Sequence, residues 1–501
     1  MDEELASFLR GFSRLTTLAS EIIGRTPLLP TVAAHLGTEP GRLPVVVEPF
    51  PAHRLADASG ILDGLAGADP GARIHGLAGQ QRHHLDLSDL VAGNGMHAGW
   101  LGEPDDETVS VGPAEERRIV PFGFFPFTRA GNPLVVLMRP VNPQYGRLLA
   151  TMEVLGTSPD AVDGFIRDFK TSLRENSILR GRVISFTAND YSSSAAGITF
   201  HRRANVAAGD VVLPPGTLER IEAQVLGVGE HREKLLAHGA HLKRGVLLYG
   251  PPGTGKTHTV RYLASAAAGH TVILLSGNTL AFVSEAARMA RAPQPTIVVL
   301  EDCDLVAEDR SFGHGPQPLL FEVLDAMDVL DTDADVALLL TTNRVELLEE
   351  ALVQRPGRVD LAVALPRPDT AARRALLELY GRRLNPSART IGSIAKQIDG
   401  TTASFARELT RRAILLAALV GEEPGDAHLS AAATEHVGCR VADPQPAGRR
   451  RGERLEPGRG IGPRALRLRA RDRPGSARIH GLVMKPLNLQ APRQNRSRPS
   501  A

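Results

Sequence analysis

Residues 250–257 read GPPGTGKT, which satisfies the spacing G-x-x-x-x-G-K-[ST]. Glycines at 250, 253 and 255 let the backbone curl until its N–H groups face one concavity. Such a nest, at the start of a helix, takes up phosphate oxygens. Lys256 then supplies a point charge for the outer phosphates, and Thr257 a hydroxyl for Mg²⁺. The residues that would touch a nucleotide are Gly250, Pro251, Pro252, Gly253, Thr254, Gly255, Lys256, Thr257 and His258. Further along, TIVVLEDCD (296–304) is an apolar run ending in carboxylates. Glu301 suits a metal ion, reached partly through water. Asp302 suits a general base that polarises the attacking water. The run VALLLTTN (336–343) ends in Asn343, a side chain able to orient that water or touch a terminal phosphate. Finally, QRPGR (354–358) sets Arg355 and Arg358 around a Pro-Gly turn. They serve either as surface charge or as arginine fingers on a neighbouring subunit's γ-phosphate.

Those residues need a scaffold that brings distant segments together. The runs GVLLYG, HTVILLSG, PTIVVLED, VALLLTTN and VDLAVAL lack polar alternation, as strands buried on both faces do. Helical patterns such as KTHTVRYLASAAAG and PQPLLFEVLDAMDVL lie between them, so a parallel, doubly wound α/β sheet is expected. The predicted organisation has five parts. Residues 1–40 form a helical N-terminal segment, and 41–204 an α+β domain of unassigned role. Residues 205–365 are the doubly wound α/β core, 366–422 a helical region, and 423–501 a disordered tail rich in Arg, Pro and Gly. Within 41–204, LPVVVEPF and NPLVVLMRP read as strands. A helix is expected after Ser158 as N-cap, with Pro159 at its first position. His83, His84 and His97 read as surface histidines and Trp100 as packing.

Composition narrows the classes. The 501 residues carry a formal net charge of +2, but 14 Arg and one Lys face only Glu453, Glu456 and Asp472 beyond residue 443. That tail is +12 and the rest of the chain −10. The tail has no aromatic residue for base stacking, so specific nucleic-acid binding is not expected. No run of about 18 apolar residues occurs, so no membrane span is expected. The N-terminus lacks a basic region followed by an apolar one and does not read as a secretory signal. Cys303 and Cys439, far apart, make neither a disulfide framework nor a zinc site, and the expected setting is cytoplasmic.

Taken in order, these motifs resemble the AAA branch of the AAA+ ATPases. GPPGTGKT resembles the Walker A motif, VVLEDCD Walker B, LLLTTNR sensor 1, and ALVQRPGRVD the segment with paired arginine fingers; PLLFEVLDAMD resembles the helix between Walker B and sensor 1. The resemblance implies a P-loop αβα sandwich with a five-stranded parallel sheet, a C-terminal helical lid, and ATP with Mg²⁺ as ligands. It also implies a ring of like subunits, usually a hexamer, with Arg355 and Arg358 acting in trans and Asn343 as sensor 1. The function it implies is hydrolysis of ATP to remodel a protein or complex, engaged through residues 1–204. A second reading is an ATP-gated binding module with little turnover. Two departures stand out. The carboxylates run Glu301-Asp302, the reverse of the family's usual order. The segment SGNTLAFVSE (276–285) is short and has no aromatic-Gly pair for a pore loop; Phe282, its only aromatic, reads as core. Arg407, Arg411 and Arg412 on the last lid helix read as a solvated face.

Overall fold

The computed structural model describes residues 26–78, 82–92, 99–188, 195–304, 333–344 and 359–442, together with positions 7 and 11. The first part is α+β. Five strands, β1 (Val45–Phe50), β2 (Asp105–Gly112), β3 (Glu115–Arg129), β4 (Asn132–Arg139) and β5 (Ala150–Gly156), form an antiparallel sheet in the order β1-β5-β4-β3-β2. Strand β4 reads NPLVVLMR and is buried from residue 134 onward, because both faces of the sheet are covered. Helices α1 (Leu55–Ala66) and α2 (Pro159–Glu175) lay Leu62, Phe165 and Phe169 against Phe125, Phe127 and Val136 on one face. The helix Leu28–Leu36 packs Leu28 and Val32 among Phe122, Phe124 and Leu137 on the other. α2 starts as the sequence predicts: Ser158 accepts the N–H of Ala161 and Pro159 takes the first helical position. His83 and His84 lie against the rings of Phe122 and Tyr145, 4.8 and 4.7 Å between centroids.

The second sheet carries the motifs. Its strands are β6 (Val183–Ala188), β7 (Ala195–His201), β8 (Arg244–Tyr249), β9 (Thr271–Ser276), β10 (Thr296–Glu301), β11 (Val336–Thr342) and β12 (Leu361–Ala364). Their order is β7-β6-β9-β10-β11-β8-β12. The five from β8 onward are parallel to their neighbours. Residue alternation explains their continuous apolarity. Val246 and Leu248 enter one core layer with Ile297 and Val299, while Leu247 enters the opposite layer with Val298 and Leu300. Helix α3 (Lys256–Ala266) closes the first layer through Val260 and Leu263, and α4 (Val283–Ala290) the second through Val283 and Ala286. This is the P-loop αβα sandwich. At the opposite end of the strands, Arg244 and Asp335 form a buried ion pair at 2.7 Å, and Arg244 also donates to the carbonyls of Val225 and Leu242.

Two strands extend this sheet beyond the five expected. β6 adds in parallel along β9, and β7 returns antiparallel to β6. Both fall inside 41–204, the range that the sequence reading gave to the preceding domain. Val183 and Ile184 of β6 are buried in opposite core layers of the αβα sheet. Strand-forming residues report that a strand exists and not which sheet it will join. The connector at 176–182 holds on to both parts: Asp57 of α1 accepts the N–H of Ile178 at 2.7 Å, and Leu179 enters the αβα core.

The lid has helices α5 (Thr370–Tyr380), α6 (Ala388–Gln397), α7 (Ala403–Val420) and α8 (Asp426–Ala442). α8 lies within the stretch read as disordered. It places Leu429, Ala432 and Ala433, all fully buried, in the lid core beside Leu409 and Ala413. The helix expected around 316–330, His97, Arg355, Arg358, most of residues 1–25 and the whole of 443–501 lie outside the described residues.

Candidate active site

A parallel sheet delivers the carboxyl ends of its strands to one edge. β8 and β11 are paired so that Tyr249 sits opposite Thr342, and β10 and β11 so that Leu300 sits opposite Leu340. Residue 250, residues 301–302 and residue 343 therefore emerge side by side. The loop from 250 to 255 runs straight into α3, whose first residue is Lys256.

The loop keeps its shape through glycine. Gly253 has φ +79°, and a Cβ there would meet Ser404 Oγ at 2.2 Å and Thr402 Oγ1 at 2.9 Å. Gly250 has φ +147°, and its Cβ would meet the Leu365 carbonyl oxygen at 2.2 Å. Thr254 Oγ1 donates to the Pro251 carbonyl at 2.9 Å and braces the turn. The Lys256 ammonium lies inside the curl, donating to Gly250 O (2.8 Å), Pro251 O (3.1 Å) and Asn343 Oδ1 (2.8 Å). Burial draws its pKa below the usual lysine value, against an upward pull from Asp302 and Asp304. The His258 ring turns away, to the Asp210 carbonyl at 2.9 Å. A cleft of about 480 Å³ opens beside Gly250, Pro251, Pro252 and Asn343.

The carboxylates stand opposite. Glu301 ends β10, and the Thr257 hydroxyl acts on its carboxylate. Burial raises its pKa above the ordinary carboxylate value, and neighbouring Asp302 adds to that, while the Thr257 bond and Arg261 oppose it. Asp302 follows at φ +53°, a left-handed backbone that few residues other than glycine adopt. Its N–H is held by Thr341 Oγ1 at 3.0 Å, and its Oδ1 lies 3.4 Å from Asn343 Nδ2. Cys303 packs into the core beneath them. Burial pushes its thiol up to about 12, which keeps it neutral at ordinary pH. The structure thus brings together the P-loop, Thr257, Glu301, Asp302 and Asn343.

Three contributors were not assigned from the sequence. Asp304, 7% exposed, accepts from Thr342 Oγ1 (3.1 Å) and from the N–H of Asn343 (3.0 Å). Its only sequence signal was membership of the carboxylate run. Thr402 and Ser404, at the start of α7, cover the P-loop, and the N–H of Ser404 bonds to Gly253 O at 3.1 Å. Nothing in their sequence marks them. Of the lid arginines, Arg411 pairs with Glu408 and Arg412 with Glu435, all partly or largely exposed. Phe282 closes the short turn Gly277–Phe282, 9% exposed, with its ring edge-on to Phe186 of β6 at 5.8 Å.

Comparison with known sequences agrees with this geometry. Residues 246–367 match the family described as "ATPase family associated with various cellular activities (AAA)". The chain carries an AAA ATPase domain. Over 206 residues it is 33% identical to the 26S proteasome regulatory subunit 8 of Caenorhabditis elegans, covering 38% of this chain and 48% of that one. The 26S proteasome regulatory subunit 8 homolog of Saccharomyces cerevisiae is 35% identical over 173 residues, 31% of this chain and 42% of its own. The ATP-dependent zinc metalloprotease FtsH 1 of Sphaerobacter thermophilus is 35% identical over 224 residues, 39% of this chain and 34% of its own. The chain thus spans about half or less of the length of these relatives. Among the described residues, no helix is long and apolar enough to cross a membrane.

Proposed function

We propose that the AAA domain binds ATP with Mg²⁺ and hydrolyses it, and that the cycle remodels a protein or complex engaged through residues 1–204. The observation that carries this is the contact of Lys256 Nζ with Asn343 Oδ1, within one side chain of Asp302. Phosphate-binding charge, phosphate-sensing amide and base stand in one cluster. The donor set fits the metal: Thr257 hydroxyl and Glu301 carboxylate are hard oxygen ligands, close enough that the hydroxyl lowers the carboxylate's pKa. When bound, Mg²⁺ neutralises the charge that develops on the phosphates. In this reading the backbone N–H groups of 253–257 and Lys256 hold the triphosphate, Asn343 orients the attacking water, and Asp302 takes its proton. The proposed assembly is a cytoplasmic ring, a hexamer by family resemblance, in which Arg355 and Arg358 reach the neighbour's γ-phosphate. Steady-state phosphate release is the test. Magnesium-dependent turnover that Lys256→Ala abolishes supports the proposal, and turnover unaffected by that change overturns it.

One observation favours a variant of this reading. Phe282 is packed under Phe186 rather than presented to solvent, so the segment after β9 offers no aromatic grip on a threaded chain. β6, which supplies Phe186, continues directly from the connector that Asp57 holds. Nucleotide-driven shifts in the sheet would then be delivered to residues 26–175 through this hairpin, as gated binding rather than threading. Turnover that stays low and is not stimulated by an unfolded polypeptide supports the gated form; strong stimulation by such a chain contradicts it.

A further inference from the structure

Asn343 has a choice that the fold must make for it. A carboxamide is nearly symmetric in shape, but one end only accepts hydrogen bonds and the other only donates. If the amide turned over, its NH₂ would face the Lys256 ammonium, donor against donor. We infer that Asp304 is the positioning residue that fixes Asn343, holding its oxygen toward Lys256 and its NH₂ toward the base. This rests on the nucleotide-site reading given above.

The geometry is specific to Asp304. It touches residues 342 and 343 three times: Oδ1 accepts from Thr342 Oγ1 at 3.1 Å and from Asn343 N at 3.0 Å, and Oδ2 lies 3.4 Å from Asn343 Nδ2. Asp302 touches Asn343 once, at 3.4 Å. It is also the group that must release its neighbours to engage water. An ionised carboxylate only accepts, so Asp304 can face nothing but the NH₂ end. Its ionisation is secured. Burial alone would raise its pKa, but the bonds from Asn343 N–H, its own backbone N–H, Thr342 and the Asn343 side chain outweigh that and leave it below the usual value. Asp304 is 7% exposed and bridges the turn after β10 to the end of β11. It therefore sets the spacing between base and sensor as well as the orientation of the amide.

The test is a double-mutant cycle. Asp304→Asn keeps an oxygen for Thr342 and the Asn343 N–H but sets an NH₂ against the NH₂ of Asn343. The expected result is a fall in kcat of about 10²-fold, the size of losing one preorganised donor, with little change in KM. In an Asn343→Ala background, Asp304→Asn should cost nothing further. A merely structural role predicts the same loss in both backgrounds, and that result overturns the inference. If Asp304→Asn does not fold, Thr342→Val removes one donor to Asp304 while keeping the shape; its smaller loss should likewise vanish in the Asn343→Ala background, and a loss that persists there overturns the inference. The ratio of ATP to ADP affinity, by competition against a fluorescent ADP analogue, gives a readout independent of turnover, and Asp304→Asn should shift it as Asn343→Ala does. If Asp304→Asn leaves both kcat and this ratio unchanged in a protein that binds nucleotide, the inference alone fails. A wild-type protein that binds no nucleotide removes the site reading and this inference with it.

Discussion

Asp302→Asn separates binding from chemistry, because the backbone at 302 tolerates it. Position 302 has φ +53°, where Asn and Asp are among the few side chains other than glycine that settle. The N–H···Thr341 Oγ1 bond at 3.0 Å is a backbone bond and survives the change. The side chain has one contact at stake, the 3.4 Å approach of Asn343 Nδ2, which is too long to be strong and which an Asn carbonyl oxygen can still accept. The expected loss of folding stability is therefore below about 1 kcal/mol. The catalytic loss is far larger: removing a positioned general base lowers kcat by ~10²–10⁴-fold, about 3–5 kcal/mol in the barrier. Urea denaturation gives the first quantity, single-turnover phosphate release the second, and competition binding a nucleotide affinity close to wild type. Asp302→Ala is the control for conformation. It removes the same base but also the side chain suited to this backbone, and should lose a further ~1–2 kcal/mol of stability. If Asp302→Asn turns over within a few-fold of wild type, Asp302 is not the base. If it loses binding as much as rate, the separation of roles between Glu301 and Asp302 is wrong.

Three more expectations follow from the same geometry. Gly253→Ala combines a left-handed backbone with a Cβ 2.2 Å from Ser404 Oγ. It should lower stability by at least ~1–2 kcal/mol and weaken nucleotide binding by pushing α7 away; Ser404→Gly added to it should restore part of the binding. Glu301 is held above its ordinary pKa by burial, so its charge destabilises the nucleotide-free fold at neutral pH. Glu301→Gln should be the more stable protein in thermal unfolding above the raised folded pKa, with the gain shrinking as pH falls and gone below the unfolded carboxylate value near 4.3. Phe282→Ala should lose ~3–5 kcal/mol in denaturant unfolding, the size for a buried ring, whereas Phe282→Leu should retain the fold and its ATP turnover; an exposed gripping aromatic would give the reverse.

The residues of the candidate site were legible where chemistry forces residue type and spacing together. A phosphate nest needs glycines at 250, 253 and 255 and a lysine at 256, and these survive as a readable string. The five parallel strands were legible because burial on both faces leaves runs such as GVLLY and TIVVL with no polar alternation. What was hidden depends on partners distant in the chain. Val183 and Ile184 announce a strand, but only β9 decides that it joins the αβα sheet. Thr402 and Ser404 are unremarkable lid residues until the fold lays them on Gly253. Leu429, Ala432 and Ala433 lie in a sequence too small and polar to advertise a core helix, yet they fill the lid interior. Asp304 was visible as a carboxylate, but its bonds to Thr342 and Asn343 follow from the pairing of β10 with β11.

Residues 250–257 and the carboxylate at 301 are expected to grip the same metal–triphosphate. Calorimetric titration of the purified full chain with ATP, with and without Mg²⁺, in wild type, Lys256→Ala and Glu301→Gln, decides this. Mg²⁺ should strengthen ATP binding to the wild type, Lys256→Ala should lose most of the affinity, and Glu301→Gln should retain ATP but no longer gain from Mg²⁺. Binding that is indifferent to Mg²⁺ in the wild type, or unchanged by Lys256→Ala, would contradict it.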